Sequence, residues 1–220
     1  MKKLIFILLL GVLPMGLFAK KNPEQIFWKW FQKNESKFFD LEKDKDNLLD
    51  KLSKELTKYK DGLTYEVSTV ESGKRELIIS ADGLKEIFPS VETLVTSAPE
   101  LNRWKVIAFR PRHKDYADFV LNYEEEEFDP SKIWIYYRVE DGFFDLALYH
   151  PAYDEKERNL YVSASYILLD TALGEYDVTM NVRYIDHRKL PKNPQEEGLT
   201  PFSKLSEKFD KYKKIHRSNL

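Results

Sequence analysis

The side chains best suited to chemistry fall in three places. "FRPRH", Phe109 to His113, brings Arg110, Arg112 and His113 together just past an apolar run. Guanidinium groups grip carboxylates and phosphates through paired hydrogen bonds, so this cluster is a candidate anion or carboxylate site. The plainer reading is that these charges end a strand and pair with nearby acids, the run Glu124 to Glu127 among them. The second place is "YDVTMNVRYI", residues 176–185, which alternates. A strand there would turn Asp177, Thr179, Asn181 and Arg183 to one side. With Arg138, that row is either a groove lining or the ordinary wet face of an antiparallel sheet. The third is His150, which ends an apolar run on the side shared by Phe144, Leu146 and Leu148. Paired with Asp177 it is the candidate for acid–base catalysis; unpaired, it is a structural histidine at the core margin.

Other chemistries lack their residues. His113, His150, His187 and His216 are far apart in sequence, with no HExxH or His-x-His spacing, so neither a metal centre nor a cofactor is expected. Glu124 to Glu127 with Asp129 lack the spaced oxygen ligands and the glycine of a calcium loop. There is no GxSxG, and Ser163 and Ser165 fall inside an expected helix. The glycines form no phosphate loop. The chain has no cysteine, which excludes disulfides, thiol catalysis and thiolate metal sites. A net charge of −2 without a long basic block argues against nucleic acid as a partner.

The first residues carry a different kind of information. Lys2 and Lys3 precede the apolar run Leu4 to Leu13, Pro14 and Gly16 break it, and Ala19 suits a cleavage site. This is the pattern of a secretory signal peptide over residues 1–19, and it is short of the ~20 residues a membrane span needs. The expectation is a protein exported to the periplasm or beyond, with no membrane span in the mature chain.

The elements that must position the candidates read as α+β. Asn22-Pro23-Glu24-Gln25 is a helix start, with a capping asparagine and a first-turn proline. The apolar face Ile26, Phe27, Trp30 and Phe31 and the leucines from Leu48 to Leu56 then predict a helical pair over residues 20–60, packing on the main domain. Residues 61–214 form that domain. "LTYEVSTV" at 63–70 and Lys74 to Ser80 read as strands around the turn at Gly73. Leu84, Ile87, Phe88, Val91, Leu94, Val95 and Ala98 keep a helical period, and Trp104 to Phe109 is a third strand. The order β-β-α-β then recurs: strands at 133–140 and 143–150 around Asp141-Gly142, a helix over 156–172, and a strand at 176–185. "VESGKRELIIS" and "VEDGFFDLALY" hold one register across the two hairpins. Two β-β-α-β units, 63–110 and 133–185, ferredoxin-like or related, are therefore expected, followed by a C-terminal helix over 201–213.

The segments "LIISADG", "FPSVETLVTSAPEL", "WKVIAFRPR" and "ILLDTALGEYDV" together resemble an uncharacterised bacterial family of conserved hypothetical exported proteins. The resemblance covers residues 25–210. It implies one intact globular unit and carries no catalytic residue over. The residues favour a non-enzymatic exported protein that binds a protein partner or a small ligand, through Arg110, Arg112, His113, Asp177, Asn181 and Arg183. The alternative is a periplasmic hydrolase using His150 with carboxylates.

Overall fold

A computed structural model describes residues 22–217; the expected signal peptide, 1–19, lies outside the described residues. Helix α1 (Pro23–Phe39) starts where the Asn22 side chain accepts the amides of Glu24 and Gln25. It runs on through the polar "NESK" because Phe38 still has a hydrophobic partner: its ring stacks on Phe31 at 5.5 Å. A short turn leads to α2 (Lys45–Tyr59), which buries Leu48, Leu52 and Leu56 along one face. Trp28 donates its indole N–H to the Leu94 carbonyl at 2.8 Å. Arg75, only 3% exposed, ties down the end of α1 and the turn after it. It donates to the Phe39 and Ser68 carbonyls at 2.8 and 2.6 Å and pairs with Glu42.

The first unit comprises β1 (Thr64–Val67), β2 (Arg75–Ser80), α3 (Phe88–Thr96) and β3 (Trp104–Ala108). Its sheet order is β1-β2-β3, with β1 antiparallel and β3 parallel to β2. A small hairpin, β4 (Leu121–Tyr123) and β5 (Glu126–Phe128), separates the units. The second unit comprises β6 (Trp134–Glu140), β7 (Phe143–His150), α4 (Arg158–Leu173), α5 (Glu175–Asn181) and β8 (Ile185–Lys189). β6 is antiparallel and β8 parallel to β7, repeating the first unit's connections. β9 (Thr200–Pro201) adds to the free side of β6, and α6 (Leu205–Arg217) closes the described chain. The fold is α+β, with three small sheets, N-terminal helices and a C-terminal helix.

The two hairpins share their turn geometry. Ser72 and Gly73 have φ of 50° and 76°, and Asp141 and Gly142 have 51° and 79°. Two successive positive φ angles make the mirror-image turn that fits the twist of paired strands. The sequence echo therefore marks the same turn at the same point of the same connection order.

Each sheet buries one face, and the faces belong to separate cores. Leu77 and Ile79 pack with Phe31, Leu52, Leu56, Val91 and Leu94. Ile135, Phe144, Leu146 and Leu148 pack with Ala164, Leu168, Phe202, Leu205 and Phe209. Each such fully buried large side chain contributes roughly 1.5–3 kcal/mol. The units do not merge into one continuous sheet.

One expected element is corrected. Residues 176–185 are not a strand: α5 occupies Glu175–Asn181, and the strand begins at Ile185. Alternation there competes with a helical spacing, in which Glu175 and Val178 are the buried positions. Tertiary contact decides between them. Gly174 turns the chain with φ of 86°, and a Cβ there would meet the Arg112 amide nitrogen at 3.3 Å. The chain then re-enters a helix held by the Glu175 side chain.

Candidate functional site

A cleft of about 1200 Å³ lies between the two units. One wall is the face of the first sheet turned away from its core, with Glu66, Glu76 and the largely buried Ile78, and the loop that follows β2. The other is the outward side of α4, with Ser163, Tyr166, Ile167, Asp170 and Thr171, continued by α5. Helical spacing explains the division of labour within α4. Ala164, Ser165, Leu168 and Leu169 face the core, while Tyr166 and Ile167 stay 48% and 38% exposed toward the cleft. The loops after β2 and β3 end in this space, at the C-terminal ends of parallel strands, where open α/β sheets commonly hold ligands. Both strand ends carry non-glycine residues at positive φ, Asp82 at 52° and Phe109 at 65°.

Glu175 joins the units. It is fully buried. One carboxylate oxygen accepts the Ala81 and Gly83 amides at 3.0 and 3.2 Å, and the other accepts the Arg110 amide at 3.0 Å. Its own amide donates to the Arg110 carbonyl at 3.0 Å. Backbone donors can hold a buried carboxylate where no cation touches it. Arg110 crosses the cleft floor above this junction, bonding Glu66 at 2.6 Å and Asp82 at 2.8 Å. Burial works against its charge, but these two bonds more than compensate and raise its pKa.

Asp170 is the group this arrangement leaves perturbed. Burial pushes its carboxyl up from the ordinary 3.8 to about 7, helped by the charges of Glu175 and Asp82 and opposed by Arg110. The nearest Arg110 nitrogen is 3.6 Å away and is shared with Asp82. A carboxyl that changes charge near neutrality, inside a cleft, is suited to receiving a donor or moving a proton.

Of the six expected site residues, Arg110, His113 and Arg183 line this cleft, and Arg112, Asp177 and Asn181 do not. Arg110 is at the cleft floor, with Glu66 and Asp82 as partners in place of the glutamate run. Arg112 points elsewhere, one of its nitrogens donating to both carboxylate oxygens of Asp210 at 2.8 and 3.0 Å. His113 is exposed on the cleft rim, and its Nδ1 accepts the Asp115 amide at 3.3 Å. The row Asp177, Thr179, Asn181 and Arg183 is not a strand face, because the first three lie on or within α5. Asp177 pairs with Lys213 and accepts from the Asn181 amide at 3.2 Å. Arg183 binds Asp145 at 2.8 and 3.1 Å, with further contacts to Asp141 and Glu140. Those bonds hold the Asp145 carboxyl below its usual range, Arg183 foremost. The pairing of His150 with Asp177 is also corrected: His150 is buried, and its Nε2 lies 3.2 Å from Ser165 Oγ.

Sequence reasoning missed Asp170, Glu175, Glu66 and Asp82. A signal existed for the first two. Asp170 is the single acid in the apolar run "ILLDTAL", and Glu175 follows the glycine that ends it. Comparison with known proteins adds no relative: no family model, no curated protein and no solved structure matches the chain.

Proposed function

We propose that this is an exported, non-enzymatic binding protein that seats a small ligand in the cleft between its two units. The observation that carries the reading is the cleft itself, about 1200 Å³ with both units contributing walls. That volume exceeds what a drug-sized molecule needs. The lining favours a ligand with an apolar body and a hydrogen-bond-donating head, an amine first of all. Ile78, Tyr166 and Ile167 supply the apolar contact, and Asp170 receives the head. An ammonium group would favour the charged form of Asp170, so binding would release a proton near neutrality. Among the described residues no helix is long and apolar enough to cross a membrane.

Thermal-shift screening tests this. The protein and an Ile167→Trp variant are screened against amines, amino acids, sugars and organic acids at pH 8. A ligand at a hundred times its Kd stabilises by about 2.7 kcal/mol, a rise of several degrees for a chain of this size. Amines should raise the melting temperature of the wild type and not of the variant. A panel in which no compound separates the two proteins sinks the reading.

One observation favours a second reading, a hydrolase. Asp170, pushed up to about 7, has the proton affinity of a general acid–base and shares its cleft with His113. Turnover of chromogenic esters or amides that disappears in Asp170→Asn would select it.

A further inference from the structure

The second core holds two imidazoles side by side. His150 ends β7 and His187 lies within β8, at 2% and 4% exposure. Their rings are 6.0 Å apart and 14° from parallel. His150 meets the Ser165 hydroxyl of α4; both ring nitrogens of His187 are buried without a hydrogen-bond partner. Phe128 of β5 and Tyr161 of α4 close over His150 at 6.0 and 5.1 Å.

The ionisable surroundings offer little to a buried cation. From α4, Arg158 opposes a charge on His187, while Asp186 of β8 favours it, and these two face each other at 4.0 Å. Asp186 is already bonded to Arg188 at 2.7 Å. Lys189 stands opposite His150 in the strand register, exposed. In the segment after β7, Glu155 is bound by Tyr153 at 2.6 Å, while Asp154, Glu157 and Glu126 of β5 act on Tyr161. No carboxylate hydrogen-bonds either imidazole in the described structure. The rings are therefore held neutral: burial lowers His150 to about 3 and His187 to about 4, from an ordinary 6.5. In the unfolded chain both protonate near 6.5. Between about 6.5 and 4 the unfolded state binds more protons, so stability falls as pH falls through that window.

The first core contains no histidine among its described residues. We propose that the His150–His187 pair is an acid-sensitive catch, by which acidification loosens α4 from the second sheet while the first unit stays folded. Because α4 supplies Ser163, Tyr166, Ile167 and Asp170 to the cleft, opening the catch removes one cleft wall. That last consequence rests on the proposed binding function; the catch itself does not.

Hydrogen exchange with mass-spectrometric readout, on the full chain between pH 7 and 4, tests the catch without any ligand. After scaling for the intrinsic pH dependence of exchange, peptides from 134–189 should lose protection as pH falls below about 6. Peptides from 64–108 should keep theirs. The two imidazoles take up a proton each on opening while Asp170, carried on α4, gives one up, so the opening equilibrium should steepen by about tenfold per pH unit. His187→Leu, which fits the apolar surroundings and removes one of the two protons gained, should leave the opening nearly independent of pH over that range. In the wild type, NMR should show two histidines that stay neutral down to the transition, a result that holds even if His187→Leu does not fold. Loss of protection in both units together, full protection of 134–189 at pH 4, an unchanged slope in a folded His187→Leu, or buried histidines titrating near 6.5 would each overturn the proposal.

Discussion

Replacing Asp170 by Asn should stabilise the protein, and increasingly so as pH rises. The folded state holds the carboxyl proton up to about 7, while the unfolded chain releases it near 3.8. Between those values the folded protein carries the extra proton, so this group's contribution makes stability fall as pH rises. Each tenfold change in proton affinity is worth about 1.4 kcal/mol. The full penalty above pH 7 is therefore about 4 kcal/mol, and near pH 5 it is about 1.6 kcal/mol. Asn keeps the size and a carbonyl acceptor but carries no charge, and Arg110 retains Glu66 and Asp82. The gain from Asp170→Asn should thus grow by about 2–3 kcal/mol between pH 5 and pH 8.5. Urea unfolding of both proteins at the two pH values measures it, and the comparison cancels every group they share, the histidines included. An equal effect at both pH values, or a loss at pH 8.5, would refute the assignment of a strained, proton-holding carboxyl. Stabilisation by removing a cleft residue is the sign of a group kept for function at a cost in stability.

Other substitutions probe the supports of the cleft. Glu175→Gln keeps one oxygen for two of the three backbone donors but sets its NH2 against the third, and should cost about 1–3 kcal/mol in urea unfolding; a loss below about 0.5 kcal/mol would remove its role as the junction. Gly174→Ala forces a side chain into positive φ against the Arg112 backbone and should cost about 1–3 kcal/mol, seen as a fall in thermal midpoint. Arg75→Met strips the Phe39 and Ser68 carbonyls of their donor and should destabilise by about 3 kcal/mol, with the near-ultraviolet signal of Trp28, Trp30 and Trp104 reporting the loss.

Sequence and structure agree best where backbone chemistry is local. Gly73 and Gly142 announce turns that only positive φ permits, and the strands on either side follow within one to three residues. The fate of 176–185 was illegible because two periods coexist there. What selects the helix is an amide receptor built by Ala81, Gly83 and Arg110, far away in sequence. The arginines of "FRPRH" illustrate the same limit. Their need for carboxylate partners is readable, yet the partners of Arg110 come from β1 and the loop after β2, brought near only by folding. His150 is the opposite case. Its face, shared with Phe144, Leu146 and Leu148, already places it at a core margin. Asp170 escaped notice because its proton affinity depends on burial under a neighbouring unit, which no local pattern encodes.

The division into two cores also sets an order of assembly. A chain made from its N-terminus completes α1 through β3 before α5 has been synthesised. The first core can close at that stage, since all its fully buried members precede residue 110. The amides that receive Glu175 are then already in place when Glu175 arrives. The second unit docks on a finished template, and its junction helix has a binding site waiting. A fault in the first unit, at the strand ends near Asp82 or Phe109, would therefore surface later, as a failure of the second unit to seat.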